Sequence, residues 1–260
     1  MPKLIVTVLL GAALAAVGCE STKKMEAKVI EAPPAPDAGF LNDADKMKPQ
    51  PEVAPFNRMW IAPDADFKRY TKVYVAAVDT HHVLAMTLWQ EVNLRQYDVK
   101  KDIADLAVEF HDDLVKAFRE DPKKHYQVVD DVKQIDAQTL MIEAALVELV
   151  PSKAWLGVLG TAAWAAPVVV GVPLGTAAAF ADTGYVSMEV RMRGGDSGSV
   201  LFRAADRESG PMRVIDARSM TWYGNTHEIL GQWSDELVAF TNAAPGETVK
   251  HSADFTLSPW

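Results

Sequence analysis

Residues 185–193 read YVSMEVRMR, the next five are Gly194, Gly195, Asp196, Ser197 and Gly198, and residues 199–205 read SVLFRAA. In the first run Val186, Met188, Val190 and Met192 occupy every second position, with Tyr185, Ser187, Glu189, Arg191 and Arg193 between them. Successive side chains of a strand point to opposite faces, so this alternation predicts a strand with one apolar face. A glycine-rich turn followed by a second β-prone run predicts a hairpin.

Upstream, residues 139–150 (TLMIEAALVELV) are apolar on both faces except at Glu143 and Glu148, the pattern of a central strand. Residues 71–78 (TKVYVAAV) and 126–129 predict two further strands, and residues 212–222 a last short one. Between the first two, Asp98 offers an N-cap, and Ile103, Leu106, Ala107, Phe110, Leu114, Val115 and Phe118 recur at helical spacing until Pro122 ends the segment. Residues 226–242 form a second amphipathic helix, with Ile229, Leu230, Trp233, Leu237 and Val238 on one face. The order predicts an α/β fold of the α+β type: a two-layer sandwich, with a mixed sheet of about five strands and two amphipathic helices on one face. It is expected as a single domain over residues 56–242, followed by a polar tail over 243–260.

The N-terminus has a different composition. Lys3 precedes an uncharged apolar run over residues 4–17, which ends in Ala16, Val17, Gly18 and Cys19. At about 15 residues the run is shorter than the roughly 20 apolar residues of a spanning helix, and it reads as a secretory signal. Its ending resembles a bacterial lipobox, so residues 1–18 are expected to be removed and Cys19 to be lipidated. Glu20, where aspartate would signal inner-membrane retention, directs the expectation to the periplasmic face of the outer membrane of a Gram-negative bacterium. Residues 19–55 contain Pro33, Pro34, Pro36, Pro49, Pro51 and Pro55 and read as a disordered tether. Within it, residues 38–41 (AGFL) form an apolar island suited to docking on the domain.

Cys19 is the only cysteine, so no thiol remains for a disulfide, a zinc site or thiol catalysis once it is lipidated. The chain has 26 Lys and Arg against 35 Asp and Glu, a net charge of −9 with no basic cluster, which argues against nucleic acid as a partner.

Residues 155–181 carry no charge. Trp155, Leu156, Gly157, Gly160, Trp164, Gly171 and Gly175 mark this stretch as a candidate interaction surface, because small residues allow close backbone approach. Three readings stand: a buried connection, a surface for self-association or an envelope partner, and membrane insertion. Pro167 and Pro173 oppose a spanning helix.

Candidate chemistry is sparse. Gly195, Asp196, Ser197 and Gly198 resemble the nucleophile loop of chymotrypsin-like proteases, with Asp79 and His81 as possible partners, but the flanking alternation makes a hairpin turn a sufficient explanation. A tethered serine hydrolase using Ser197 is the alternative reading, and a carrier of a small apolar ligand is another. His81 and His82 are adjacent and lack the i, i+4 spacing of a zinc helix. His111, Asp112 and Asp113 fall on the polar side of the first helix. No metal, cofactor or catalytic residue is expected.

The lipobox, the lead-in Gly39, Phe40 and Leu41, the stretch over 58–70, the strand-turn-strand over 194–207 and the Trp-containing last helix together resemble a family of bacterial lipoproteins, domain of unknown function 3313. The resemblance covers roughly residues 38–242. It implies an envelope lipoprotein without an assigned activity or catalytic residues. The topology is also similar to that of small periplasmic α/β domains in secretion and envelope-assembly lipoproteins. The expected role is a non-enzymatic scaffolding or assembly factor that is held to the membrane through Cys19 and acts through protein contacts.

Overall fold

The structure, a computed structural model, describes residues 35, 37–84, 99–150, 185–209, 223, 226–244 and 246–250. Its strands are β1 (Arg58–Ile61), β2 (Lys72–Val75), β3 (Gln127–Val128), β4 (Thr139–Val150), β5 (Tyr185–Gly194) and β6 (Val200–Glu208). Its helices are α1 (His81–Leu84), α2 (Val99–Glu120) and α3 (Thr226–Asn242). The strands form one mixed sheet in the order β1-β6-β5-β4-β2-β3. β2 runs parallel to both β3 and β4, and the other pairings are antiparallel.

One face of the sheet carries the main core. Val186, Met188, Val190 and Met192 of β5 pack with Leu140, Ile142, Ala144 and Leu146 of β4 beneath the two long helices. Every apolar position expected to face inward in α2 and α3 is buried. The helices meet at Phe110 and Trp233, whose ring centroids are 6.1 Å apart. The two-layer sandwich with both helices on one face is therefore present, with six strands where about five were expected. The additional strand is β1, too short to alternate visibly. The expected strand over 212–222 lies outside the described residues, as does Asp98.

Two boundaries differ from the sequence reading. Residues 37–47, assigned to the tether with an apolar island over 38–41 suited to docking, lie across the other face of the sheet. Leu41, Ala44 and Met47 are buried there with Ala35 and Ala205, in a small cluster separate from the main core. A 3-10 turn over Ala44–Lys46 and a backbone pairing of Lys48 with Met59 join this segment to β1. The tail also packs in part: Val249 is buried, and its amide donates to the carbonyl of Val53 at 2.9 Å. Both segments are polar on average, and a few apolar side chains suffice to fold them onto a preformed surface.

Candidate functional site

The face of the sheet opposite the helices is polar and largely covered. Strand alternation turns Ser187, Glu189, Arg191 and Arg193 of β5 towards it, beside Arg203 and Arg207 of the neighbouring β6. The register between β4 and β5 shifts at Leu146 and Glu148. Regular alternation would direct Glu148 to the same face as Leu146, into the helix-side core. The bulge instead places it opposite Ser187, on the polar face.

Three groups of contacts follow. The Ser187 hydroxyl donates to Glu148 Oε2 at 2.6 Å, and Arg207 Nε donates to the same oxygen at 3.1 Å and to Ser187 Oγ at 3.2 Å. Arg207 also lies over the Tyr185 ring, 4.8 Å from its centroid. Ser187 and Arg207 are buried, and burial pushes the Tyr185 phenol above its ordinary pKa. Further along, Glu143 accepts from both Arg191 and Arg193. Finally, Glu189, fully buried, accepts from the amides of Ala38 at 3.0 Å and Leu41 at 3.1 Å.

In each group the carboxylate has at least two donors. Charge-assisted hydrogen bonds of this kind fix geometry and satisfy groups that could not otherwise be buried. Glu189, Ser187 and Arg207 were not singled out from the sequence. The alternation of Ser187 and Glu189 with apolar residues suits a solvated face; the docking of residues 37–47 closes over Glu189, and the bulge that brings Glu148 to the same face gives Ser187 and Arg207 their partner.

Ser197 sits on the β5–β6 turn. Its Oγ pairs with Ser199 Oγ at 2.7 Å and accepts from the Ser199 amide at 3.2 Å, and its own amide donates to Asp196 at 2.7 Å. That amide bond and nearby Arg69 hold the Asp196 carboxyl below the usual aspartate range. Gly195 answers to close packing, since a Cβ there would lie 2.5 Å from the Asp136 carbonyl oxygen, and Gly198 to its positive φ of 63°. His81 and His82 stack edge to face at 5.6 Å, and Gly39 approaches His82. Asp79 accepts from the His81 backbone amide at 2.7 Å, an Asx contact at the start of α1. His111 contacts Asp112, its own neighbour.

Among the described residues, no group of three or more His, Cys, Asp or Glu side chains is placed to hold a metal ion. No helix among them is long and apolar enough to cross a membrane. Cys19 and the candidate surface of Trp155, Leu156, Gly157, Gly160, Trp164, Gly171 and Gly175 lie outside the described residues.

The profile of the family described as "Protein of unknown function (DUF3313)" matches residues 36–237. The chain belongs to the DUF3313 family. The match begins beside Ala35, so the DUF3313 unit includes the segment over 37–47 that folds onto the polar face. No curated protein matches the chain. Among solved structures, this DUF3313 protein is similar to the PelC dodecamer from Paraburkholderia phytofirmans, at 10% identity and a TM-score of 0.39, over 72% of this chain and 96% of that one. It is similar to the hypothetical protein CT253 from Chlamydia trachomatis at 11% identity and a TM-score of 0.39, over 67% of this chain and 99% of that one. It is also similar to protein XCC0632 of the DUF330 family from Xanthomonas campestris, at 12% identity and a TM-score of 0.37, over 73% and 93% of the two chains.

Proposed function

We propose that this DUF3313 protein is a lipid-anchored envelope lipoprotein, held through Cys19 at the periplasmic face of the outer membrane, whose domain acts as a scaffolding or assembly factor through protein contacts. The observation that carries this reading is the uncharged run over residues 4–17 that closes on the only cysteine of the chain. Acyl chains on Cys19 would each add roughly 0.8 kcal/mol per buried CH₂, and two or more chains make the attachment durable. The polar networks of the sheet support a structural use of its charged residues, because Glu143, Glu148 and Glu189 are bound to arginines, a serine hydroxyl or backbone amides. The partner is a second copy of the chain or another envelope protein.

Mass spectrometry of the N-terminal peptide, from protein purified out of membranes, tests the anchoring. A mature N-terminus at Cys19 carrying acyl chains is the expected result, and an unmodified thiol there would refute it. Crosslinking in intact cells tests the contacts. A discrete crosslinked species is expected, and a protein that stays uncrosslinked and monomeric by light scattering would end the scaffolding reading.

A further inference from the structure

Residues 37–47 are attached to the domain in a way that differs from every other described element. Their buried side chains Leu41, Ala44 and Met47, with Ala35, meet the body of the protein at Ala205, with Phe40 and Trp60 packed around them, and this cluster is distinct from the main core between sheet and helices. Other holds are polar and reach across the chain. Glu189 accepts the amides of Ala38 and Leu41, Arg191 donates to the Phe40 carbonyl and lies over its ring at 4.8 Å, and Arg203 pairs with Asp43 at 3.4 Å.

Local stability in a protein follows cooperative units, and a segment with its own small apolar cluster and few shared core contacts opens at lower free energy than the core. Arg203 and Arg191 also keep partners on the body of the domain, Arg203 against the Trp60 ring at 4.7 Å and Arg191 with Glu143. Withdrawing the segment therefore leaves those two cations with partners. Glu189 changes most, since two of its acceptor bonds go to the segment.

We propose that residues 37–47 form a strap that opens as one unit while the sheet and helices stay folded. The inference rests on the fold and stands whether or not Cys19 is lipidated. Its consequence is mechanical: Ala35, just before the strap, is held by Asn57 Oδ1 at 3.2 Å and by Arg58 at 2.7 Å, and release of the strap together with these two bonds adds roughly 35 Å of extendable chain between the N-terminus and the domain and uncovers the face that holds Glu189 and Trp60. A pull on the N-terminus would load the Ala35 bonds and then the strap before the sheet.

Hydrogen exchange of the full-length protein in detergent, with and without mild urea, tests this. The Ala38, Leu41 and Met47 amides are expected to exchange faster than those of β5, with little dependence on urea. Glu189→Gln, which removes one of the two acceptors, is expected to speed exchange at Ala38 and Leu41 by roughly tenfold or more, as loss of a charge-assisted bond implies, and to leave β5 protection within about twofold. Leu41→Ala should act in the same direction and carries the test if Glu189→Gln does not fold. A common rate and a common urea dependence for the strap and β5 would overturn the proposal, as would equal acceleration of both by either variant.

Discussion

The indole Nε1 of Trp233 donates to Asp206 Oδ2 at 2.8 Å, joining α3 to β6 through a carboxylate with no solvent exposure. The other oxygen of Asp206 accepts from the Asn57 amide at 2.8 Å, which fixes the entry to β1. One buried side chain thus couples the last helix, a central strand and the first strand. Trp233→Phe removes one donor and keeps most of the apolar volume. It is expected to destabilise the domain by about 1–3 kcal/mol, the cost of leaving a buried acceptor short of a donor. Chemical denaturation measures it, and a midpoint unchanged from the wild type would show that the bond contributes nothing net.

Arg207 is the more deeply buried of the two arginines buried in β6, and its guanidinium holds Glu148 and Ser187. Arg207→Met leaves the Glu148 carboxylate without its cation, and a loss of about 3–5 kcal/mol is expected for breaking such a pair from one side. Combining it with Glu148→Gln should restore part of that loss, because the uncompensated charge is gone. A double variant less stable than Arg207→Met alone would contradict this account of the pair.

The β5–β6 turn separates packing from chemistry. Gly195→Ala would push a methyl group against the backbone oxygens of Asp136 and Thr139, at 2.5 and 3.0 Å, and neither is a flexible side-chain end. A loss of about 1–3 kcal/mol is expected. Ser197→Ala removes a hydroxyl whose contacts are local to the turn, so a loss under about 1 kcal/mol is expected. Serine-reactive fluorophosphonate distinguishes the two readings of the loop: labelling that vanishes in Ser197→Ala would favour the hydrolase reading over the turn.

Asp136 and Asp196 flank the same turn, and both carboxyls are held below the ordinary aspartate value of 3.8. For Asp136 the Lys72 ammonium is the largest cause, with the Gln138 amide and Thr139 hydroxyl adding to it; for Asp196 it is the Ser197 amide. A carboxyl with a lowered folded pKa stabilises the fold fully above its unfolded value, and that contribution is lost as pH falls through the folded one. Wild-type urea midpoints should therefore fall below about pH 4 more steeply than those of a variant carrying Asp136→Asn and Asp196→Asn. Parallel curves would show that the two carboxyls are not coupled to folding.

The parts of the fold legible in the sequence are those with a strong local period. The stripe from Ile103 to Phe118 and the alternation from Val186 to Met192 each report burial against a continuous apolar layer, and both are present. β1 escaped because four residues, Arg58–Ile61, are too few to show a period, and their pairing with β6 spans much of the chain. Of the strap, only the apolar island over 38–41 was legible as a docking segment, and its extent to Met47 was not. Its charged and small residues, Asp37, Asp43, Asp45 and Lys46 among them, and the prolines on either side, Pro36 and Pro49, resemble linker composition, while Leu41, Ala44 and Met47 are too few to show a helix or strand period. Glu148 shows the same limit in one residue. Alternation alone turns it towards the core, and the bulge that turns it away is a property of the pairing with β5. Of the candidate site, Glu189 was not legible, because its role depends on a contact 148 to 151 residues away.

The proposed attachment of this domain to the envelope through Cys19 is tested most directly by fractionation of cells carrying Cys19→Ser. The variant is expected to leave the membrane fraction and to be recovered soluble, with the urea midpoint of its domain unchanged. Continued, detergent-dependent retention of folded Cys19→Ser protein in the membrane would contradict it.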